Sequence, residues 1–178
     1  MVSKNVLVLL SHPYLQSSNV HRNLSARLAK IEGVTLRHID ELPRENGHFD
    51  AKTEQPFWDK AQTIILEFPM YWYHSPASLK QYLDDVLTED WAYQNAYALE
   101  GKKLIVLTTT GGIESEYAAS GEHGYAITDV LTPYKSTASF TKMQYGPELV
   151  IYAANFLSEA ELENEFSRIT GEVEKLTI

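Results

Sequence analysis

Tyr117 and His123, set among Gly121 and Gly124, are residue types that can move a proton beside a reacting ring. A phenol donates to an acceptor atom, and an imidazole stabilises the phenolate left behind. A second stretch, Phe68-Pro69-Met70-Tyr71-Trp72-Tyr73-His74-Ser75-Pro76, crowds three adjacent aromatics into a short loop. They are costly to leave in water and cannot all fold inward, so a planar aromatic ligand would resolve the conflict. Ser17, Ser18 and Asn19, after Ser11-His12-Pro13, head a helix whose N–H groups and partial positive charge would hold a phosphate without an arginine. Thr109-Thr110-Gly111-Gly112 removes two side chains where backbone N–H groups can approach a ligand edge, and adds two hydroxyls. Each stretch alone is met by a cap, a core contact or a tight turn; together they describe a site.

Such residues need elements to place them, and hydrophobic periodicity supplies strands alternating with helices. Strands are expected at 6–10, 34–39, 63–68, 103–108 and within 149–152. A helix from about Asn19 carries Val20, Leu24, Leu28 and Ile31 on one face, and residues 40–50 form a loop. A short helix follows over 55–61, with Pro56 in its first turn. Ser75 is the expected N-cap of the next helix, with Pro76 at its first position and Leu79, Tyr82, Leu83, Val86 and Leu87 on its apolar face. Another helix is expected over 124–138, and Ser158 with Glu161 makes a capping box for the last.

This order predicts an α/β fold, a doubly wound five-stranded parallel sheet flanked by helices with right-handed crossovers. Ligands of such sheets bind beyond the strand carboxyl ends, and the flavodoxin-like order places FMN there. The serine, aromatic and Thr-Gly loops follow the first, third and fourth strands. No GxGxxG or Walker A pattern is present.

Composition narrows the classes further. With 178 residues, 44% of them hydrophobic, the chain suits one domain over 1–178. The absence of cysteine excludes disulfides, zinc-thiolate sites and a thiol nucleophile, and suits a reducing cytoplasm. The six histidines lack the paired spacing of a zinc motif, so no metal site is expected. A net charge of −9 with dispersed Lys and Arg argues against nucleic acid or an anionic membrane as the main partner. The stretch Met1 to Asn5 leads into an apolar segment too short for a signal sequence or a membrane span, so a soluble protein is expected.

With these residues in order, the chain resembles the flavodoxin-like NAD(P)H:quinone oxidoreductase family, including the bacterial branch with the ancillary proteins of glutathione-gated potassium efflux. Besides the loops above, Phe49-Asp50, Glu54-Gln55, Leu79-Lys80, Trp91-Ala92-Tyr93 and Leu99-Glu100-Gly101-Lys102 carry the resemblance. Asp90 and Gln94 depart from it where family members often have glycine.

The resemblance implies that His12, Ser17, Ser18 and Asn19 surround the flavin phosphate, and that Pro69, Met70, Trp72 and Tyr73 pack along the ribityl chain and ring. Thr109, Thr110, Gly111 and Gly112 would face the pyrimidine edge. Tyr117 and His123 would assist hydride transfer. The length favours FMN over FAD, with NADH or NADPH as co-substrate and two-electron, ping-pong reduction of a quinone-like acceptor. A homodimer is expected, with Trp91-Ala92-Tyr93 and Tyr97 near its boundary. Two alternatives stay open: an ancillary subunit docked on a membrane potassium efflux protein, and a flavodoxin-type electron carrier.

Overall fold

The computed structural model describes residues 4–178; Met1, Val2 and Ser3, where the expectation of no signal segment begins, lie outside the described residues. The apolar runs build the sheet. Strands β1 (Val6–Leu10), β3 (Thr63–Pro69) and β4 (Lys103–Thr109) are buried almost throughout, as runs rich in Val, Leu and Ile must be when both faces are covered. At one edge lies β2 (Val34–His38), and with β5 (Gln144–Tyr145) at the other the parallel order is β2-β1-β3-β4-β5, the expected one.

At the far edge the expected strand is preceded by another short one. Both β5 (Gln144–Tyr145) and β6 (Leu149–Ile151) pair with β4. The register shifts by one residue between Leu104↔Tyr145 and Leu107↔Leu149, so Gly146-Pro147-Glu148 forms a bulge. Pro147 has no N–H to give the ladder, which is why the edge divides there.

Helices α1 (Asn19–Leu28), α2 (Ala51–Lys60), α3 (Ala77–Val86), α4 (Ile127–Val130), α5 (Thr132–Phe140) and α6 (Glu159–Leu176) cover the two faces. Leu24, Leu28, Phe166, Ile169 and Val173 of α1 and α6 pack on Val6, Val8, Ile65 and Ile105. Trp58, Leu79, Tyr82 and Tyr134 of α2, α3 and α5 pack on Leu7, Leu9, Ile64 and Val106. The strand alternation sorts its side chains between these two cores. Among the described residues no helix is long and apolar enough to cross a membrane.

Three helix starts differ from expectation. α2 begins at Ala51 rather than Gln55, because the Asp50 carboxylate accepts the Lys52 N–H at 3.1 Å and the Thr53 hydroxyl at 2.6 Å. Pro56 therefore sits inside the helix, where it removes one backbone hydrogen bond. α3 is capped by Pro76, one residue after Ser75. The helix expected over 124–138 starts at Ile127 and breaks at Leu131, since Pro133 suits the first turn of a new helix. The Ser158 and Glu161 capping box forms as expected.

One polar network runs through the second core. Arg37 on β2 donates to both oxygens of Glu54 at 2.8 and 2.6 Å, and its guanidinium lies 3.9 Å from the Phe57 ring centroid. The Tyr82 hydroxyl donates to Glu54 Oε2 and accepts from the Trp58 indole, each at 3.1 Å. Trp58 and Tyr82 are wholly buried, and burial pushes the Tyr82 phenol well above its usual range.

Candidate functional site

At the carboxyl ends of β1, β3 and β4 the loops leave a cavity of about 320 Å³. The first loop contributes His12, Ser17 and Ser18, and α1 adds His21. Ser18 caps α1, its hydroxyl accepting the His21 N–H at 3.1 Å, and Ser17 hydroxyl donates to the Tyr14 carbonyl at 2.8 Å. β3 brings Pro69, Met70 and the following Tyr71; β4 brings Thr109, Thr110 and Gly111. The Met70 N–H donates to the Thr109 carbonyl at 3.0 Å and ties the two strand ends together. Among the described residues no Lys or Arg lines the cavity, so an anion there meets a helix N-terminus, hydroxyls and imidazoles.

Beneath it lies a buried triad. His21 is 1% exposed, with Nδ1 3.0 Å from Glu67 Oε1 and Nε2 3.0 Å from Thr109 Oγ1. The other oxygen of Glu67 is buried and has no hydrogen-bond partner among the described residues.

His12 donates its backbone N–H to Asp40 at 2.7 Å, and its Nδ1 accepts the Tyr14 N–H at 3.2 Å. Burial, then the nearby His21, lowers the His12 pKa from 6.5 to about 4. The fold therefore excludes a proton that the unfolded chain binds between about pH 6.5 and 4. This contribution is fully favourable above pH 6.5 and is lost as the pH falls through that window. A His12→Asn variant should show a shallower loss of stability from pH 7 to 4.5 in urea titrations; an unchanged acid limb would remove His12 from the account.

A second group stands on the far side of Gly112. His123 stacks on Tyr117 with ring centroids 4.2 Å apart, and its Nδ1 lies 3.2 Å from the Tyr73 hydroxyl. Its Nε2 is buried, without a hydrogen-bond partner among the described residues, and 3.9 Å from Glu116 Oε2, which itself accepts the Ile113 N–H at 2.9 Å. Burial is the main cause raising the Tyr117 phenol pKa. Tyr73, His123, Tyr125, Asp129 and Val130 line a further hollow of about 410 Å³.

The aromatic loop reaches this group through a strained turn. Tyr71 and His74 exchange backbone hydrogen bonds at 2.8 and 3.0 Å, leaving Trp72 and Tyr73 as the central pair. Both have left-handed backbones, φ +48° and +64°. That is the turn that Asn-Gly normally makes, and for aromatic residues it costs about 1–3 kcal/mol each. Trp72 is thrown outward, 92% exposed, while Tyr73 turns to His123.

The structure thus gathers His12, Ser17, Ser18, Pro69, Met70, Thr109, Thr110 and Gly111 around one cavity. Asn19, Trp72, Tyr73 and Gly112 do not line it. Gly112 instead makes room for the second group: a Cβ there would come within 2.5 Å of Glu116 Oε2 and 2.7 Å of His123 Nε2. Sequence reasoning missed Tyr71, whose place in the aromatic run was a signal, and His21, one helical turn beyond the Ser18 cap. It also missed Asn155, which carried no signal. A larger hollow of about 560 Å³, between the C-terminal ends of α1 and α6, includes none of the expected residues.

The 91–97 segment finds partners within the chain. Trp91 packs edge-on to Trp58 and donates to Asp59 at 3.2 Å, Tyr93 lies against Phe140, and Lys142 covers Tyr97. Asp90 and Gln94 keep left-handed backbones, φ +63° and +66°, that glycine would adopt with less strain.

Comparison with known proteins bears on the family and the fold. Residues 4–175 match a family described as flavodoxin-like fold. The chain is 36% identical over 165 residues to an uncharacterized NAD(P)H oxidoreductase of Bacillus subtilis, YrkL, covering 92% of this chain and 94% of that one. It is 30% identical over 164 residues to the glutathione-regulated potassium-efflux system ancillary protein KefF of Klebsiella aerogenes, covering 92% and 91%. General stress protein 14 of Treponema denticola, solved in complex with FMN, superposes with a TM-score of 0.89 at 29% identity, covering 97% and 99%. An NADPH-quinone reductase from P. pentosaceus gives 0.86 at 30%, covering 94% and 96%.

Proposed function

The chain belongs to the flavodoxin-like fold family that its residues 4–175 match, and from that premise we propose an enzyme that binds FMN and uses NADH or NADPH to reduce quinone-like acceptors by two electrons. One observation carries the reading. An anion cradle without cationic side chains lies at the strand carboxyl ends, and next to it, across Gly112, stands a Tyr and His pair.

The donor set fits FMN. Ser17, Ser18 and the first turn of α1 would hold the phosphate, with His21 beneath. Pro69, Met70 and Tyr71 would border the ribityl chain and ring, and Thr109, Thr110 and Gly111 the pyrimidine edge. At Gly111 an added Cβ would meet nothing within 4 Å, which leaves space for a ring. Bound there, the flavin supplies hydride chemistry. Tyr117 and His123 do the rest by holding and moving a proton beside it. Donor and acceptor use one face in turn, which gives ping-pong kinetics. The similarity to an FMN-bound protein and to an NADPH-quinone reductase supports cofactor and acceptor.

A second copy of the chain closing over the site belongs to the same proposal, since Tyr14 and Tyr71, which line the cavity, and Trp72, next in the chain, stand exposed and aromatics are the usual interface anchors. The lack of cysteine accords with work in a reducing cytoplasm. Similarity to KefF favours one further reading, an ancillary subunit docked on a membrane potassium efflux protein. Co-purification with a membrane transporter would support it. A one-electron carrier needs no proton relay, so Tyr117 and His123 weigh against that role.

The test is direct. Purified protein should be yellow or turn yellow with FMN, and should oxidise NADH or NADPH faster when a quinone is added. Tyr117→Phe and His123→Gln should each slow flavin reduction, by about 10²–10⁴-fold where no water substitutes, and keep FMN bound. A protein whose colour and tryptophan fluorescence ignore FMN removes the reading.

A further inference from the structure

The only hydrogen bond that His123 makes through its ring among the described residues is not to Tyr117. Tyr117 stacks on the imidazole face, while the Tyr73 hydroxyl meets Nδ1 at 3.2 Å. The opposite nitrogen, Nε2, faces the Glu116 carboxylate at 3.9 Å, and Glu116 is pinned by the Ile113 N–H. A carboxylate acceptor on the Nε2 side favours the tautomer with its proton on Nε2, which leaves Nδ1 to accept from Tyr73. Glu116, His123 and Tyr73 therefore stand in sequence, the carboxylate acting on the imidazole through space at 3.9 Å and the hydroxyl bonded to it, with Tyr73 and His123 both lining the hollow of about 410 Å³. When a solvent proton converts the ring to imidazolium, the bond reverses: Nδ1–H donates to the Tyr73 oxygen, and the phenol proton is free to turn into the hollow.

The backbone supports the same assignment. Two consecutive aromatics held in left-handed conformations are expensive, and nothing about burial repays Trp72, which is 92% exposed. The turn's effect within the chain is to bring Tyr73 onto His123, with ring centroids 5.6 Å apart.

We propose that Tyr73 is the group that delivers the proton to the acceptor, with His123 resupplying it. This rests on the reductase reading of the preceding subsection. The acceptor gains two electrons as a hydride that originates from NAD(P)H and is left with an anionic oxygen. The Tyr73 O–H bond then breaks toward that oxygen, forming the hydroquinone O–H. With the imidazole protonated, its Nδ1–H passes to the Tyr73 oxygen, and a solvent proton returns to the ring.

The experiment uses Tyr73→Phe in two arms. In the FMN-free protein, nitrogen NMR of the histidine rings should show wild-type His123 with the proton on Nε2, and a shift of its Nδ1 signal in the variant. In the FMN-loaded protein, the variant should be re-oxidised by a quinone about 10²-fold more slowly. Re-oxidation by ferricyanide, which takes electrons without protons, should be unchanged. Equal slowing with both acceptors, unchanged quinone kinetics, or a His123 signal indifferent to the variant would each overturn the proposal. If the wild type binds FMN yet oxidises no nicotinamide, the reductase reading fails and takes the proton transfer with it. The NMR arm would still report whether the Tyr73 bond exists.

Discussion

An Arg37→Met variant is expected to lose about 3–5 kcal/mol of stability at pH 7, the cost of stranding a buried charge. Glu54 is 3% exposed and takes both of its charged hydrogen bonds from Arg37, so removing the guanidinium leaves the carboxylate with only the Tyr82 hydroxyl. The stacking of Arg37 on Phe57 disappears as well. Arg37→Met combined with Glu54→Leu should recover much of the stability, because apolar groups of similar volume replace a buried ion pair at little net cost. Urea unfolding of the three proteins at pH 7 reads this. An Arg37→Met midpoint equal to wild type at pH 7 would mean that water reaches Glu54.

Gly112→Ala is expected to cut turnover by about 10²-fold or more while leaving FMN bound, because small misplacements of reacting groups carry costs of that size. The added methyl would meet Glu116 Oε2 at 2.5 Å, His123 Nε2 at 2.7 Å and the Tyr117 ring at 3.4 Å, so the whole proton-handling group must shift. Gly111→Ala is the contrasting variant. Its methyl meets no protein atom within 4 Å and enters the cavity, so FMN affinity should fall first. Fluorescence titration with FMN and steady-state rates at saturating FMN separate the two effects. Equal behaviour of the two variants would show that Gly112 serves only the turn.

Much of the fold was legible because its signals are local. Unbroken apolar runs announced β1, β3 and β4, and the Ser158 and Glu161 pair announced the start of α6. The cavity residues His12, Ser17, Ser18, Thr109 and Thr110 were legible for the same reason, since each lies at the carboxyl end of a strand or in the loop that follows it. What stayed hidden depends on contacts between distant segments or on backbones that the residue type disguises. His21, Glu67 and Thr109 meet only after α1, β3 and β4 have assembled. Trp72 and Tyr73 occupy a turn whose usual marker is Asn-Gly, and an aromatic pair gives no such notice. The aromatic run therefore marked the right place and left open which ring faces which partner. Pro56 misled in the opposite way, because its preference for a first turn was outweighed by the stronger Asp50 cap.

The bulge at Gly146-Pro147-Glu148 bears on how the molecule behaves in a crowded solution. An unpaired sheet edge is a template on which another chain can add a strand and begin a fibre. Here the outer edge offers only two short segments, separated by a proline without an N–H and offset by one residue in register. Gly146 is pressed so close to Ile105 that a side chain on it would come within 2.8 Å. An incoming strand would find no continuous row of donors and acceptors to copy there, and the irregularity guards that edge of the sheet against growing into its neighbours.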